Sequence, residues 1–211
     1  MKLLGLTPSP FFRKCIIVME EKGLDYDVET LMPFQKTESL MSMNPLGKIP
    51  ILVDQDFAIP DSSVICAYLE KRFPVQSLYP EDPLEYAYAL FWVEYADTKM
   101  VQVIGTVLFE RLAKPIMVPR QQADEELIER CLNVDLPPIF DYLESKIPHN
   151  QDYIYSKLSI ADISIGVHLA SLKFIGYKID SDRWPRTSFY FDKLMTRPSF
   201  VKSMINQTKI K

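Results

Sequence analysis

The stretch Asn44-Pro45-Leu46-Gly47-Lys48-Ile49-Pro50-Ile51-Leu52 limits what this chain can fold into more than any other. A glycine turn leads through a β-branched residue into Pro50, which opens a short apolar run of strand character. At the mouth of a strand a cis X-Pro bond costs only about 0.5–1 kcal/mol, so Ile49–Pro50 is expected to be cis. Proline also lacks its own N–H, which leaves neighbouring backbone groups to hydrogen-bond outward to an extended ligand. A second signal, Asp61-Ser62-Ser63, follows a short strand and opens the apolar helical run Val64, Ile65, Ala67, Tyr68 and Leu69. Asp and Ser at a helix start cap its N–H groups, and that end of a helix suits an anion. Each piece alone is an ordinary turn or an ordinary cap; in this order they point to a ligand site.

Composition narrows the class. Of 211 residues, 47% are hydrophobic and 25% charged, which suits a soluble globular protein with a sizeable core. That length permits one large domain or two small ones. A net charge of -4 offers no basic footprint for nucleic acid. Cys15, Cys66 and Cys131 are odd in number and show no CxxC or metal-ligand spacing. Cys15 and Cys66 lie in apolar helical patterns and read as buried, inert thiols. No apolar stretch approaches the ~20 residues needed to span a bilayer, and Pro8 interrupts the start too early for a signal peptide. A reducing cytoplasm is the natural setting.

In chain order, Lys2 to Leu6 reads as a buried strand ended by Thr7-Pro8-Ser9-Pro10. Ser9 is placed as N-cap and Pro10 as first residue of a helix that stops at Gly23. Tyr26 to Leu31 reads as a strand, and Glu38 to Met43 as a short helix. Ile51–Val53 and Phe57–Ile59 form a hairpin about Asp54-Gln55-Asp56, and Ser62 to Arg72 is a closing helix. The order βαβ then ββα is that expected of a thioredoxin-like α/β domain with a mixed sheet, assigned to residues 1–75. Residues 76–83 read as a proline-rich linker, and 84–211 as an all-α C-terminal domain. In it, Leu84 to about Arg111 is one long helix broken by Lys114–Pro119. Asp124 to about Lys146 is a second, kinked or split at Pro137-Pro138. Ser159 to Phe174 is apolar nearly all round and therefore central, and Pro185–Met195 and a piece from Pro198 follow.

Ser9-Pro10-Phe11, Asn44 to Leu52, Asp61-Ser62 and Ser159-Ile160-Ala161-Asp162, in that order, resemble the cytosolic glutathione S-transferases, and the resemblance covers nearly the whole chain. It implies glutathione as cosubstrate, a small hydrophobic electrophile as second substrate, a homodimer, and no metal. Ser9 falls where some transferases carry Ser and others Cys. A Ser-type member, as in bacterial relatives, points to conjugation rather than disulfide exchange. Stringent starvation protein relatives share the architecture but contact RNA polymerase, which is the alternative reading.

Between strand and helix, Ser9 meets unpaired N–H groups and a helix dipole that favour negative charge. Lowering a thiol near pKa 8.5 by one or two units takes roughly 1.4–2.7 kcal/mol, within reach of one hydroxyl donor and a helix N-terminus. Thr7 is an alternative donor. The resemblance assigns Asp61 and Ser62 to the γ-glutamyl end, where Glu or Gln more often stands at the Asp61 position. It assigns the backbone of Ile49, beside Pro50, to the cysteinyl part, and Lys48 and Lys36 to the glycine carboxylate; Phe11 completes the site. The second substrate is expected between the domains, against Tyr95, Lys99 and Val103, about one helical turn apart. Asp162 reads as the N3 member of a capping box, His168 as a satisfied core residue, and His149 as carrying no catalytic pattern.

Overall fold

Strand β1 (Lys2–Gly5) is buried over Leu3, Leu4 and Gly5, and the first unit grows outward from it. In the computed structural model, which describes residues 1–33, 37–118, 121–149 and 151–205, β2 (Asp27–Thr30) pairs with β1 in parallel. On its other side β3 (Ile51–Asp54) runs antiparallel, and β4 (Phe57–Pro60) returns antiparallel to β3. The sheet order is β2-β1-β3-β4, the mixed sheet expected from βαβ followed by a hairpin.

Each face of the sheet is covered by helix. Leu4 and its register partner Ile51 pack with Leu40 of α2 (Glu38–Met43). Side chains alternate along a strand, so Leu3, Leu52 and Gly5 serve the opposite face. There α1 (Pro10–Glu21) comes so close that a Cβ on Gly5 would lie 2.2 Å from the Phe12 ring. Only glycine permits that approach. Helix α1 begins as its sequence implies: Ser9 Oγ accepts the Phe12 N–H at 3.4 Å and Pro10 occupies the first turn. It ends at Gly23, whose φ of +62° lets Leu24 N–H reach back to the Met19 carbonyl.

From Phe12 to Met19 α1 is buried throughout, Arg13 and Lys14 included. Covering from several sides explains this, since α3 (Ser62–Arg72) and α11 (Pro198–Met204) both pack on it. Arg197 donates Nε and Nη2 to the Glu21 carboxylate at 2.9 and 2.6 Å, and the Ser199 hydroxyl adds a third bond. Below α11, Arg13 Nη1 lies 3.0 Å from the Met204 sulfur, and burial lowers its pKa to about 9. At the end of α1, the buried Lys22 ammonium meets Glu70 at 2.7 Å and the carbonyls of Phe73 and Gln76. Glu70 in turn accepts from the Ser77 hydroxyl and Leu78 N–H, which ties residues 73–79 to the first unit. That unit comprises Met1–Tyr79 and Thr196–Lys211; the second comprises Pro80–Met195.

In the second unit Asp82 caps α4 (Pro83–Tyr95), accepting from Leu84 and Glu85 N–H. The helix runs on through a π-helical Ala96–Gly105, α5 (Thr106–Leu108), a π-helical Phe109–Ala113 and α6 (Lys114–Met117). The break expected at Lys114–Pro119 therefore comes later than the sequence suggests, since helix persists through Pro115. The proline falls in the first turn after a change of hydrogen-bonding frame, where a missing N–H does little harm. Pro137-Pro138 behaves likewise. α7 (Glu125–Arg130) passes through π-helical Cys131–Asp135 into α8 (Leu136–Lys146), with the prolines in the new first turn.

Helix α9 (Ile160–Phe174) is buried from Ile160 to Leu172, the central helix its composition implies. The Asp162 carboxylate gathers four donors: Ser159 N–H and hydroxyl at 2.8 and 2.9 Å, Ile154 N–H at 2.8 Å and Tyr190 hydroxyl at 3.0 Å. It thus joins α9, the preceding loop and α10 (Pro185–Thr196). Among the described residues no helix is long and apolar enough to cross a membrane.

Stranding buried donors costs about 1–3 kcal/mol each. Asp162→Ala is therefore expected to lose about 3 kcal/mol or more, beyond a simple cap deletion, and to lower the thermal midpoint by roughly 6–12 °C. A calorimetric scan with a shift under 2 °C would contradict this network's role.

Candidate active site

Three strands end together. Leu4 is the register partner of Ile51, and Ile51 of Pro60. Because β3 runs against both neighbours, the segment after β1, the segment before β3 and the segment after β4 leave the sheet at the same end. Thr7–Ser9, Lys48–Pro50 and Asp61-Ser62 are thereby brought to one edge by backbone pairing alone. A bond from Leu31 N–H to the Gly5 carbonyl leads the chain after β2 to this edge as well. Lys36 lies outside the described residues.

At the first segment the Ser9 oxygen receives the Phe12 N–H, and among the described residues its hydroxyl hydrogen is donated to none. Thr7 is 3% exposed and among the described residues its hydroxyl has no partner, so it too has a proton to give. At the second, Ile49–Pro50 is cis, as its sequence suggests. Asn44 holds this loop. Its Nδ2 donates to the Lys48 carbonyl at 2.9 Å, its Oδ1 accepts Leu46 N–H at 3.0 Å, and its carbonyl accepts Gly47 N–H. Ile49 N–H and C=O make no hydrogen bond among the described residues, and the Lys48 side chain is exposed.

At the third, Asp61 holds φ at +74°, a left-handed backbone that strains a non-glycine residue by about 1–3 kcal/mol. The gain is visible in its side chain, where Oδ1 accepts Ser63 N–H at 2.9 Å and Val64 N–H at 3.2 Å. Those two groups are therefore engaged, and the Ser62 N–H is what the helix start has left for a ligand. Ser62 is 3% exposed and its hydroxyl bonds no described residue. Behind this cap, Lys14 is fully buried with Nζ 3.1 Å from Ser63 Oγ and 6.0 Å from the Phe11 ring centroid.

The comparisons with known proteins bear on the family and the fold. Residues 3–79 match the glutathione S-transferase N-terminal domain. The GST-like protein YibF of Escherichia coli (strain K12), itself uncharacterized, is 32% identical over 210 residues, 96% of this chain and 98% of its own. The chain belongs to the glutathione S-transferase family. A probable glutathione S-transferase of Oryza sativa subsp. japonica is 28% identical over 96% of this chain and 94% of its own. The crystal structure of a glutathione S-transferase from Rhodospirillum rubrum F11 superposes with a TM-score of 0.87 at 26% identity, covering 96% of this chain and 90% of that one.

Several further placements bear on what this glutathione S-transferase family member can do. Cys15 is buried beside Cys66, 3.9 Å from the Ser62 carbonyl, and burial first, then Cys66, raises its thiol well above the ordinary range. It is a poor nucleophile. Cys131 is also buried and raised by burial. Tyr95 is half-buried against Trp92 and Tyr142, with burial and then Tyr142 raising its pKa to about 12. Lys99 is exposed and Val103 buried, although the two lie four residues apart on the same π-helical stretch. His168 is buried with Nε2 3.4 Å from Asp97, a core placement. His149 lines a cavity of about 450 Å³ with Glu144, Gln151 and Arg186.

Lys14 and Asn44 are the site residues that sequence reasoning did not assign roles. A signal existed for Lys14: Arg13 and Lys14 interrupt a run in which Phe12 and Cys15 to Met19 are all apolar. At 100° per residue Ile17 falls between the two on the helix, so the face that carries them is not a polar one.

Two measurements follow for the cap and the thiol. Asp61→Ala keeps the strained φ and loses the cap, whereas Asp61→Gly loses the cap and relieves the strain. In urea titrations the Ala variant should be about 1–3 kcal/mol less stable and the Gly variant less affected; the reverse order would sink this account. Iodoacetamide on the native protein should leave Cys15 unmodified, as read by peptide mass spectrometry.

Proposed function

We propose that this protein binds glutathione at the common edge of its first unit, activates the glutathione sulfur as thiolate, and adds it to an electrophilic carbon of a small hydrophobic compound. The observation carrying this reading is the convergence of two helix starts, headed by Ser9 and Asp61, on one sheet edge with the cis Ile49–Pro50 bond between them.

Each part of the ligand has a counterpart. The Ser9 hydroxyl accepts from Phe12 N–H and can donate its hydrogen to the sulfur, beside the positive end of α1. Thr7, with its unpartnered hydroxyl, is the second donor in reach of the same turn. The exposed N–H and C=O of Ile49 suit the cysteinyl backbone as an added strand would. Ser62 offers its N–H and hydroxyl to the γ-glutamyl carboxylate, and Asp61 suits the adjoining ammonium. Lys48 is available to the glycine carboxylate; Lys36 is assigned the same task on its sequence position alone. The thiol proton leaves to water, and the sulfur lone pair forms the new C–S bond as a leaving group departs with its electron pair or a polarised double bond takes up the pair and then a proton from water. The protein contributes thiolate stabilisation and proximity. The electrophile is assigned to the long helix of the second unit, with Tyr95, Lys99 and Val103.

A homodimer in the cytosol fits the exposed apolar side chains on α4. Leu84, Tyr88 and Phe91, at helical spacing, are 67%, 57% and 44% exposed. In the first unit Phe57, at the β3–β4 turn, is 71% exposed. Nothing in the fold or the relatives favours the alternative of a polymerase-binding protein.

Glutathione at one hundred times its Kd should add roughly 2.7 kcal/mol of stability, a shift on the order of 5–10 °C. Ser62→Ala should abolish most of that shift. Ser9→Ala should keep it while lowering conjugation of a model electrophile about 10²-fold, as for loss of one donor to a developing anion. If neither the natural protein nor Ser9→Ala responds to glutathione, the reading fails; if Thr7→Val rather than Ser9→Ala loses turnover, the donor is Thr7.

A further inference from the structure

We infer that Lys14 is a positioning residue that makes the α3 start receptive to the α-carboxylate of an amino-acid end; this rests on the glutathione reading above. The reason is an imbalance at the cap. A helix start usually accepts an anion because several N–H groups are unfilled. Here the Asp61 carboxylate has filled two of them, from Ser63 and Val64, and added its own negative charge. With Asp61 alone this end would repel a second carboxylate.

Lys14 reverses that. It is fully buried on a stretch of α1 that is apolar apart from Lys14 and Arg13, where an ammonium is costly unless it meets a partner. Its Nζ lies 3.1 Å from Ser63 Oγ, directly behind the cap. Its charge reaches this site: it lowers the Cys15 thiol, whereas Asp61 raises it. Its neighbour Arg13 turns instead toward Met204 of α11, so one of two consecutive cations serves the site. The independent sign of a ligand is Ser62, buried yet with a hydroxyl that bonds no described residue. The Lys14 charge balances Asp61, and the Ser62 N–H and hydroxyl then supply direct contacts. The pair is fitted to a carboxylate and an ammonium on one carbon: Lys14 favours the first, Asp61 the second.

The test compares two ligands by calorimetry: glutathione, and 4-aminobutyryl-cysteinylglycine, which keeps the amino group and lacks the α-carboxylate. The natural protein should prefer glutathione at least tenfold. Lys14→Met should weaken glutathione about tenfold while leaving the analogue's affinity unchanged, and Lys14→Arg should restore the preference. Equal weakening of both ligands would mean a merely structural lysine, and no weakening, or no preference in the natural protein, would also overturn the inference. If the natural protein binds neither ligand, the glutathione reading itself has failed and takes the inference with it. Should Lys14→Met not fold, Ser63→Ala carries the test, with a selective loss of about threefold or more for glutathione expected and no selective loss counting against it.

Discussion

The antiparallel row Leu4–Ile51–Pro60 is the constraint on which the site depends. It costs the protein no dedicated binding residue, because it consists of backbone pairing between core strands. Yet it fixes where three separate loops emerge, tens of residues apart in sequence. A one-residue slip of β3 would turn Ile51 away from Leu40 and carry Pro50 out of line with Ser9 and Asp61. The apolar cluster Leu4, Leu40 and Ile51 opposes that slip. Core packing and the layout of the candidate site are therefore set by the same contacts.

Helix α1 is the second organising element. Its start offers Ser9, its middle carries two buried cations, and its end is anchored through Glu21 and Lys22. Burying charge usually weakens a fold unless partners are well placed. Here Lys22 has three acceptors, and Lys14 is directed to the adjacent helix start. Such a helix cannot shift without disturbing both the site and the attachment of residues 73–79.

Much of this was legible because the signals were local. Ser9, Pro10 and Gly23 bound α1 by cap and turn chemistry, Pro50 carries its cis bond, and Ser159 with Asp162 marks the start of the central helix. The βαβ-ββα order followed from period and turn residues. What was not legible was relational. The π-helical stretches around Ala96–Gly105 and Cys131–Asp135 leave no mark in composition, so prolines that read as helix breaks sit in restarted turns. Asp61 takes up the Ser63 and Val64 N–H groups as a helix cap should, but it does so at a φ of +74° that no residue pattern announces. Lys14 stands out in the sequence as a cation in an apolar run, but which element covers it, α3, is seen only in the fold.

The clasp of Arg197 and Ser199 on Glu21 makes the first unit discontinuous in the chain: its sheet lies within residues 1–79, but the strip that seals Arg13 follows only after the whole second unit. On the ribosome, the nascent sheet must therefore wait through the more than a hundred residues of the second unit before α11 can cover that guanidinium.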